Sequence, residues 1–124
     1  MKMIIGGAYQ GKSDYAKKKY PEIRWIDGES CTKQELFHAE GIFHFHKYIE
    51  RGMLENTDIT RLSERLIQEN PDIIIVTDEI GYGIVPADKY LREYREMTGR
   101  ICTELASYAS EVYRVVCGIG TRIK

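Results

Sequence analysis

The sequence lacks the features that mark secreted, membrane-spanning or nucleic-acid-binding proteins. Its 18 basic residues nearly balance its 19 acidic ones, for a net charge of −1, so no positive excess predicts binding to nucleic acid or to a membrane surface. No apolar run approaches the length that spans a bilayer, and the first residues reach a pair of glycines too soon for a signal peptide. We therefore expect a cytoplasmic protein.

Cysteine is also scarce. The three cysteines, Cys31, Cys102 and Cys117, form no C-x-x-C pair, and an odd number without a leader fits a reducing compartment. Hydrophobic residues make up 43% and charged residues 30% of the 124 residues, which is the composition of a folded domain rather than of a disordered chain. Length and composition predict one small domain, spanning residues 1–124.

Apolar runs alternate with helix-forming segments along the chain. The strongest strand signal is at residues 73–76, four consecutive β-branched residues that are typical of a central parallel strand. Further strands are predicted at residues 1–5, 23–26, 112–117 and 118–123. Helices are predicted at residues 12–20, 42–53, 58–69 and 87–109, and residues 31–37 are predicted as loop or short helix. Pro86 is expected at the start of the last helix, and Gly99 is expected to mark a point of close packing within it. The alternation predicts an α/β fold with a mostly parallel sheet flanked by helices.

One segment fits the phosphate-binding motif G-x-x-x-x-G-K-[ST] without a gap. In this motif the glycines let backbone amides converge on phosphate oxygens, the lysine neutralises the β- and γ-phosphates, and the hydroxyl reaches Mg²⁺. The segment follows an apolar strand and opens a helix, as the motif requires. It predicts a P-loop NTPase-like fold and a GTP or ATP site with Mg²⁺, in a phosphate loop of Gly6, Gly7, Ala8, Tyr9, Gln10, Gly11, Lys12 and Ser13. The alternative is a glycine-rich turn with a solvated lysine.

Acidic residues follow two of the predicted strands. Asp78 and Glu79 come just after the strongest strand, and Asp27 follows the shorter second one. Ligands of open parallel sheets bind beyond the carboxyl ends of the strands. We predict Ser13, Asp78 and Asp27 as metal ligands, and Lys12 and Glu79 as catalytic residues. Each carboxylate could instead cap a turn or a helix.

All the histidines lie close together in the chain, at His38, His44 and His46. A neutral imidazole can attack phosphorus, and we favour His46 over His44 as a third catalytic residue on this ground. On a helix, residues 44 and 46 point about 200° apart and cannot share a metal ion, whereas on a strand they could. Ordinary polar or packing roles are the main alternative.

Two motifs together point to a known family. The segment at residues 76–86 reads VTDEIGYGIVP, and matching pieces continue from Gly99-Arg100 to Lys124. With the phosphate loop, they resemble the adenosylcobinamide kinase/adenosylcobinamide-phosphate guanylyltransferase family, for which the G-[YWM]-G-I-V-P signature is far more diagnostic than the loop alone. The similarity covers the first ~15 and the last ~50 residues.

The resemblance implies a P-loop α/β fold, a role in cobalamin assembly or salvage, a corrinoid substrate and a homo-oligomer, commonly a trimer. Family members phosphorylate the aminopropanol hydroxyl of adenosylcobinamide and then attach GMP from GTP through a guanylylated histidine. The segment that holds this histidine is missing here, and Tyr9-Gln10, Asp78 and Cys102 replace the family's usual Arg-Ser, Asn and Asn. The resemblance therefore favours the kinase activity, and a nucleotide-binding module without transferase chemistry is the alternative.

Overall fold

A computed structural model describes residues 1–80 and 87–124, so the signature at residues 81–86 and the helix start predicted at Pro86 lie outside the described residues. The strands are β1 (Lys2–Gly6), β2 (Trp25–Asp27), β3 (Gly41–Phe43), β4 (Ile74–Asp78), β5 (Glu111–Val116) and β6 (Ile119–Arg122). The helices are α1 (Lys12–Lys19), α2 (Lys33–His38), α3 (Phe45–Leu54), α4 (Leu62–Glu69) and α5 (Lys89–Tyr108).

The strands form one sheet in the order β2-β3-β4-β1-β5-β6. Every neighbouring pair is parallel except β5 and β6, which are antiparallel. Strand β1 lies at the centre, with Met3 opposite Ile75 of β4 and Val112 of β5. This arrangement confirms the predicted α/β class with a mostly parallel sheet.

The two faces of the sheet are covered unequally. On one face, residues from β1, β3, β4 and β5 form a large core with helices α2 to α5, including Met3, Ile42, Ile75, Phe45, Leu66 and Leu105. On the other face, α1 is the helix that packs on the sheet, through Ala16 against Ile4, Val76 and Val115. The central strands are apolar on both sides because both sides are buried. Among the described helices, none has the length and hydropathy of a membrane span.

The second half of the predicted helix at residues 42–53 is correct, but its start is wrong. Residues Gly41–Phe43 form strand β3, and α3 begins only after His44. A side chain at position 41 would meet the Trp25 ring at 2.6 Å, so glycine is needed for β2 and β3 to pair here. A strand of three residues carries too little periodicity to be separated from a buried helix.

Two further predictions differ from the structure. The helix predicted from residue 58 begins at Leu62, because the carboxylate of Asp58 accepts hydrogen bonds from the amide and hydroxyl of Thr60 in a preceding turn. The close packing predicted at Gly99 is not found, since a side-chain carbon there would meet no described atom within 4 Å.

Candidate nucleotide site

The phosphate loop connects the central strand β1 to helix α1, and two of its residues have left-handed backbones. Tyr9 has φ 61° with a fully exposed side chain, and Gly11 has φ 86°. Gly11 is also the residue that precedes the first turn of α1, and its conformation is one that glycine adopts at little cost. The loop therefore leads directly into the first turn of α1, and the positive end of a helix favours an anion.

The loop is anchored to the β5–β6 hairpin through Gln10. The Gln10 carbonyl accepts a hydrogen bond from the amide of Gly118 at 2.7 Å, and its side-chain oxygen accepts one from the amide of Cys117 at 2.8 Å. Cys117 and Gly118 have φ values of 51° and 76°, as in the two-residue turn that suits a tight hairpin. Two hydrogen bonds thus join the loop to the turn between β5 and β6, which is far from it in sequence.

Lys12 and Asp78 meet at the mouth of the loop. The Lys12 ammonium lies 2.7 Å from Oδ1 of Asp78 and donates a hydrogen bond to the carbonyl of Gly7, also at 2.7 Å. The register of the sheet explains the meeting, since Gly6 and Asp78 are direct partners on β1 and β4. The Lys12 side chain is only 8% exposed, so its charge faces a defined set of partners rather than bulk solvent.

His46 supports Asp78 from the first turn of α3. Its side chain is buried, its Nδ1 accepts a hydrogen bond from the Asp78 amide at 3.1 Å, and its Nε2 lies 3.4 Å from Oδ2 of Asp78. Because Nδ1 accepts, the proton of the neutral ring is on Nε2. Burial lowers the pKa of His46 from 6.5 to about 4, and the charge of Asp78 opposes this shift only in part. The ring is therefore neutral at pH 7.

Asp27 pairs with His44 rather than with the loop. Asp27 ends β2, His44 follows β3, and Oδ1 of Asp27 lies 3.0 Å from Nδ1 of His44. Burial tends to raise the pKa of Asp27, but hydrogen bonds from the amide of Glu29 and from His44 outweigh it and lower the pKa. Within the described residues, no hydrogen bond or ion pair joins Asp27 to Ser13 or Asp78.

Glu79 is held by the neighbouring strand β5. Its carboxylate accepts two hydrogen bonds from the Arg114 guanidinium, at 3.0 and 3.3 Å, and its side chain is 11% exposed. Its amide donates to the carbonyl of Gly6 at 2.8 Å, where the phosphate loop begins. Glu79 lines a second, more apolar cavity together with Met3 and Ile5.

A cavity of about 580 Å³, called here the nucleotide cavity, lies over the phosphate loop. Predicted site residues that line it are Ala8, Tyr9, Gly11, Lys12, Ser13, His46 and Asp78. His44, Lys47, Glu50 and Tyr94 line it too, and Glu79 and Asp27 do not appear on its wall. In the described part of the chain, no group of three or more His, Cys, Asp or Glu side chains is arranged to hold a metal ion. Ser13 and Asp78 share the cavity, and Mg²⁺ at phosphate sites takes few ligands from the protein.

The pairing of Asp27 with His44 is one feature of the site that sequence reasoning missed. Both residues follow strands that are neighbours in the sheet, and residues in that position share one edge. The signal was therefore present, but it depended on recognising the short strand β3.

Comparison with known proteins gives a family. The family model for CobU, described as cobinamide kinase / cobinamide phosphate guanyltransferase, matches residues 43–123. The matched residues include the histidines after β3 and the acidic end of β4, whereas the phosphate loop lies before them.

Curated relatives match a shorter part. The bifunctional adenosylcobalamin biosynthesis protein CobU of Escherichia coli (strain K12) is 46% identical over 52 residues, which is 42% of this chain and 29% of the relative. The protein of the same name from Salmonella typhimurium (strain LT2) gives the same identity and the same shares. The match thus spans less than a third of the length of these relatives.

Proposed function

The chain belongs to the cobinamide kinase / cobinamide phosphate guanyltransferase family, and on this basis we propose that it transfers the γ-phosphate of GTP or ATP to the hydroxyl of a cobinamide. The observation that carries the proposal is the meeting of Lys12 and Asp78, 2.7 Å apart, at the mouth of the phosphate loop. A cation for phosphate and a carboxylate for a metal ion are the two charges that phosphoryl transfer needs side by side.

In the proposed complex, the loop binds the phosphates in place of the present partners of Lys12. The ammonium is held by the Gly7 carbonyl and by Asp78, and in the proposed complex phosphate oxygens take the place of these partners. Backbone amides of the loop and the positive end of α1 add to the attraction. The backbone at Gly11, at φ 86°, aims the first turn of the helix at this point.

Ser13 and Asp78 are the residues that we propose for Mg²⁺. Both line the nucleotide cavity, and both offer the oxygen ligands that this ion prefers. When bound, the ion neutralises charge that develops on the transferred phosphate. Asp27, the third predicted metal ligand, pairs with His44 and does not line this cavity.

His46 and Glu79 are proposed to act through their neighbours. His46 binds the amide of Asp78 and lies beside its carboxylate, so it fixes the direction in which Asp78 faces. Glu79 binds the first residue of the loop through its amide and Arg114 through its carboxylate. A direct catalytic role for either residue stays a prediction.

The proposal is limited to the kinase step. The two curated relatives are named as bifunctional, but the family resemblance implies that the segment with the guanylylated histidine is missing here.

We also propose a cytoplasmic homo-oligomer, a trimer by resemblance. Exposed apolar side chains on the β5–β6 hairpin and beyond it, at Val116, Ile119 and Ile123, support a contact there. Light scattering on the purified protein measures the number of subunits.

The direct test uses GTP labelled separately at the α and γ positions, with and without adenosylcobinamide. The proposal expects γ-label on the corrinoid, no α-label on it, and loss of transfer in Lys12→Ala. ATP labelled at the γ position decides the donor in the same assay. Nucleotide binding without any labelled corrinoid would refute the kinase and support a binding module that lacks transferase chemistry.

A further inference from the structure

His44 and Asp27 form a pair whose position is fixed by the backbone on both sides. Oδ1 of Asp27 accepts hydrogen bonds from the Glu29 amide at 2.8 Å and from Nδ1 of His44 at 3.0 Å. The Gly28 amide donates to the carbonyl of Phe43 at 2.7 Å, and a side chain at position 28 would lie 2.1 Å from the carbonyl oxygen of His44. The two strand ends are thus in direct backbone contact, which leaves the pair little freedom.

His44 has a backbone that histidine seldom adopts. Its φ is 56° and its ψ is 44°, in the left-handed region, and it precedes the first residue of α3. Such a conformation is unfavourable for a residue other than glycine and persists only where the surrounding structure imposes it. Here it turns the imidazole toward the nucleotide cavity, of which His44 forms part of the wall.

The hydrogen bond to Asp27 decides which nitrogen of His44 carries the proton. An ionised carboxylate only accepts, so Nδ1 is the N–H and Nε2 has the lone pair. The side chain is 44% exposed, and within residues 1–80 and 87–124 no partner binds Nε2. His46, whose ring centre lies 6.0 Å away, has both nitrogens directed at Asp78. Of the two rings, His44 is the one that can accept a proton from a molecule in the cavity.

We propose that His44, oriented by Asp27, is the general base of the phosphoryl transfer. The inference rests on the proposed kinase function. The acceptor is an alcohol: its oxygen forms a bond to the γ-phosphorus as the bond from that phosphorus to the β-bridging oxygen breaks, and the nucleoside diphosphate leaves. The proton of the alcohol passes to Nε2 of His44, and the resulting imidazolium is stabilised by the Asp27 carboxylate until water removes the proton.

The test is chemical rescue in variants that tolerate a left-handed backbone. His44→Gly keeps that conformation and leaves space for free imidazole, and His44→Asn keeps it while filling the space. His38→Asn is the matched control, since His38 is exposed at the end of α2 and, among the residues that the structure describes, binds only the Gln34 carbonyl. We expect kcat to fall by about 100-fold or more in both His44 variants, while the Kd of the nucleotide stays within about twofold of the wild-type value. Free imidazole should restore the rate of His44→Gly but not that of His44→Asn. Asp27→Asn should lose less rate than either.

Three outcomes overturn the assignment. One is a wild-type rate in both His44 variants, and another is an inactive His44→Gly that binds nucleotide but does not respond to imidazole. The third is a phosphoryl or guanylyl adduct on His44, detected by intact mass and absent from His44→Asn, which would make the residue a nucleophile. A wild-type protein that phosphorylates no corrinoid refutes the proposed function itself, and the inference falls with it.

Discussion

The ammonium nitrogen of Lys12 lies 2.7 Å from a carboxylate oxygen of Asp78, and this ion pair joins the phosphate loop to the end of β4. Each charge compensates the other while both are largely withdrawn from water. A triphosphate with its metal ion offers each group a new partner of opposite charge: phosphate oxygens for Lys12 and the metal ion for Asp78. The pair can then open without leaving either charge unpaired. The ion pair is therefore compatible with the proposed nucleotide and metal site.

Replacing Asp78 by Asn tests two proposed roles of its charge, binding Mg²⁺ and pairing with Lys12. We expect transfer with Mg²⁺ to fall by about 10-fold, because the neutral amide oxygen of Asn, the family's usual residue at this position, binds the ion more weakly than a carboxylate does. Without Mg²⁺, nucleotide affinity should rise by about 3- to 10-fold, because a negative charge beside Lys12 is gone. The labelled-corrinoid assay measures the transfer rate, and calorimetry in EDTA measures the affinity. Asp72→Asn, an exposed position before β4, is the control. A variant with the Mg²⁺ dependence of the wild type would contradict the role of Asp78.

The buried ring of His46 should make the stability of the protein depend on pH. Burial lowers the pKa of its ring to about 4 in the folded protein, so between pH 6.5 and pH 4 the unfolded chain binds a proton that the folded protein does not. The free energy of unfolding should therefore fall as the pH drops through this window. His46→Asn, whose amide oxygen can still accept from the Asp78 amide, should remove about 2–3 kcal/mol of that loss. Urea titrations at pH 7 and pH 4 compare it with His38→Asn, which should behave as the wild type.

Gly28 and Gly99 have opposite surroundings, so alanine at these two positions should change the stability of the fold in opposite directions. A methyl group at Gly28 would lie 2.1 Å from the backbone oxygen of His44, so Gly28→Ala should destabilise the fold by about 2–3 kcal/mol. Gly99 lies within α5, and a side-chain carbon there would meet no described atom within 4 Å, so Gly99→Ala should stabilise by about 0.5–1 kcal/mol. Thermal unfolding of both variants tests the prediction, and equal shifts of the same sign would contradict it.

The anchor at Gln10 should affect binding more than folding. Gln10→Ala removes the hydrogen bond that the Cys117 amide donates to its side chain, while the backbone hydrogen bond from Gly118 remains. We expect nucleotide affinity to fall by roughly 3- to 10-fold, the effect of one hydrogen bond of about 1 kcal/mol. Gln68→Ala, at an exposed position of α4, should leave the affinity unchanged. An unchanged Kd in Gln10→Ala would mean that the backbone alone sets the loop.

The sequence was sufficient for the parts of the site that a contiguous segment determines. The phosphate loop needs only its own glycines, its lysine and the strand and helix beside it, so its position between β1 and α1 followed from residues 2–19. The acidic end of β4 was predictable for the same reason, because an apolar run of this kind forms a buried parallel strand and the next residues lie at its carboxyl end.

Pairings between distant segments could not be read in the same way. The Glu79 carboxylate binds Arg114 on β5, and Asp27 binds His44 after β3, and both contacts depend on which strands become neighbours. A single sequence carries the residue types but not the order of the strands. Strand β3 has three residues, and the sequence predicts helix from the second of them, so it gives no sign of the pairing of Asp27 with His44.

Calorimetric titration of the wild type and of Lys12→Ala with non-hydrolysable GTP and ATP analogues in Mg²⁺ tests the central claim most directly. We expect the wild type to bind one or both analogues at a single site. The variant should bind at least about 100-fold more weakly, a loss of about 2.8 kcal/mol, and the exposed-lysine control Lys18→Ala should bind as the wild type does. A wild type that binds neither analogue, or a Lys12→Ala protein of undiminished affinity, would contradict the account.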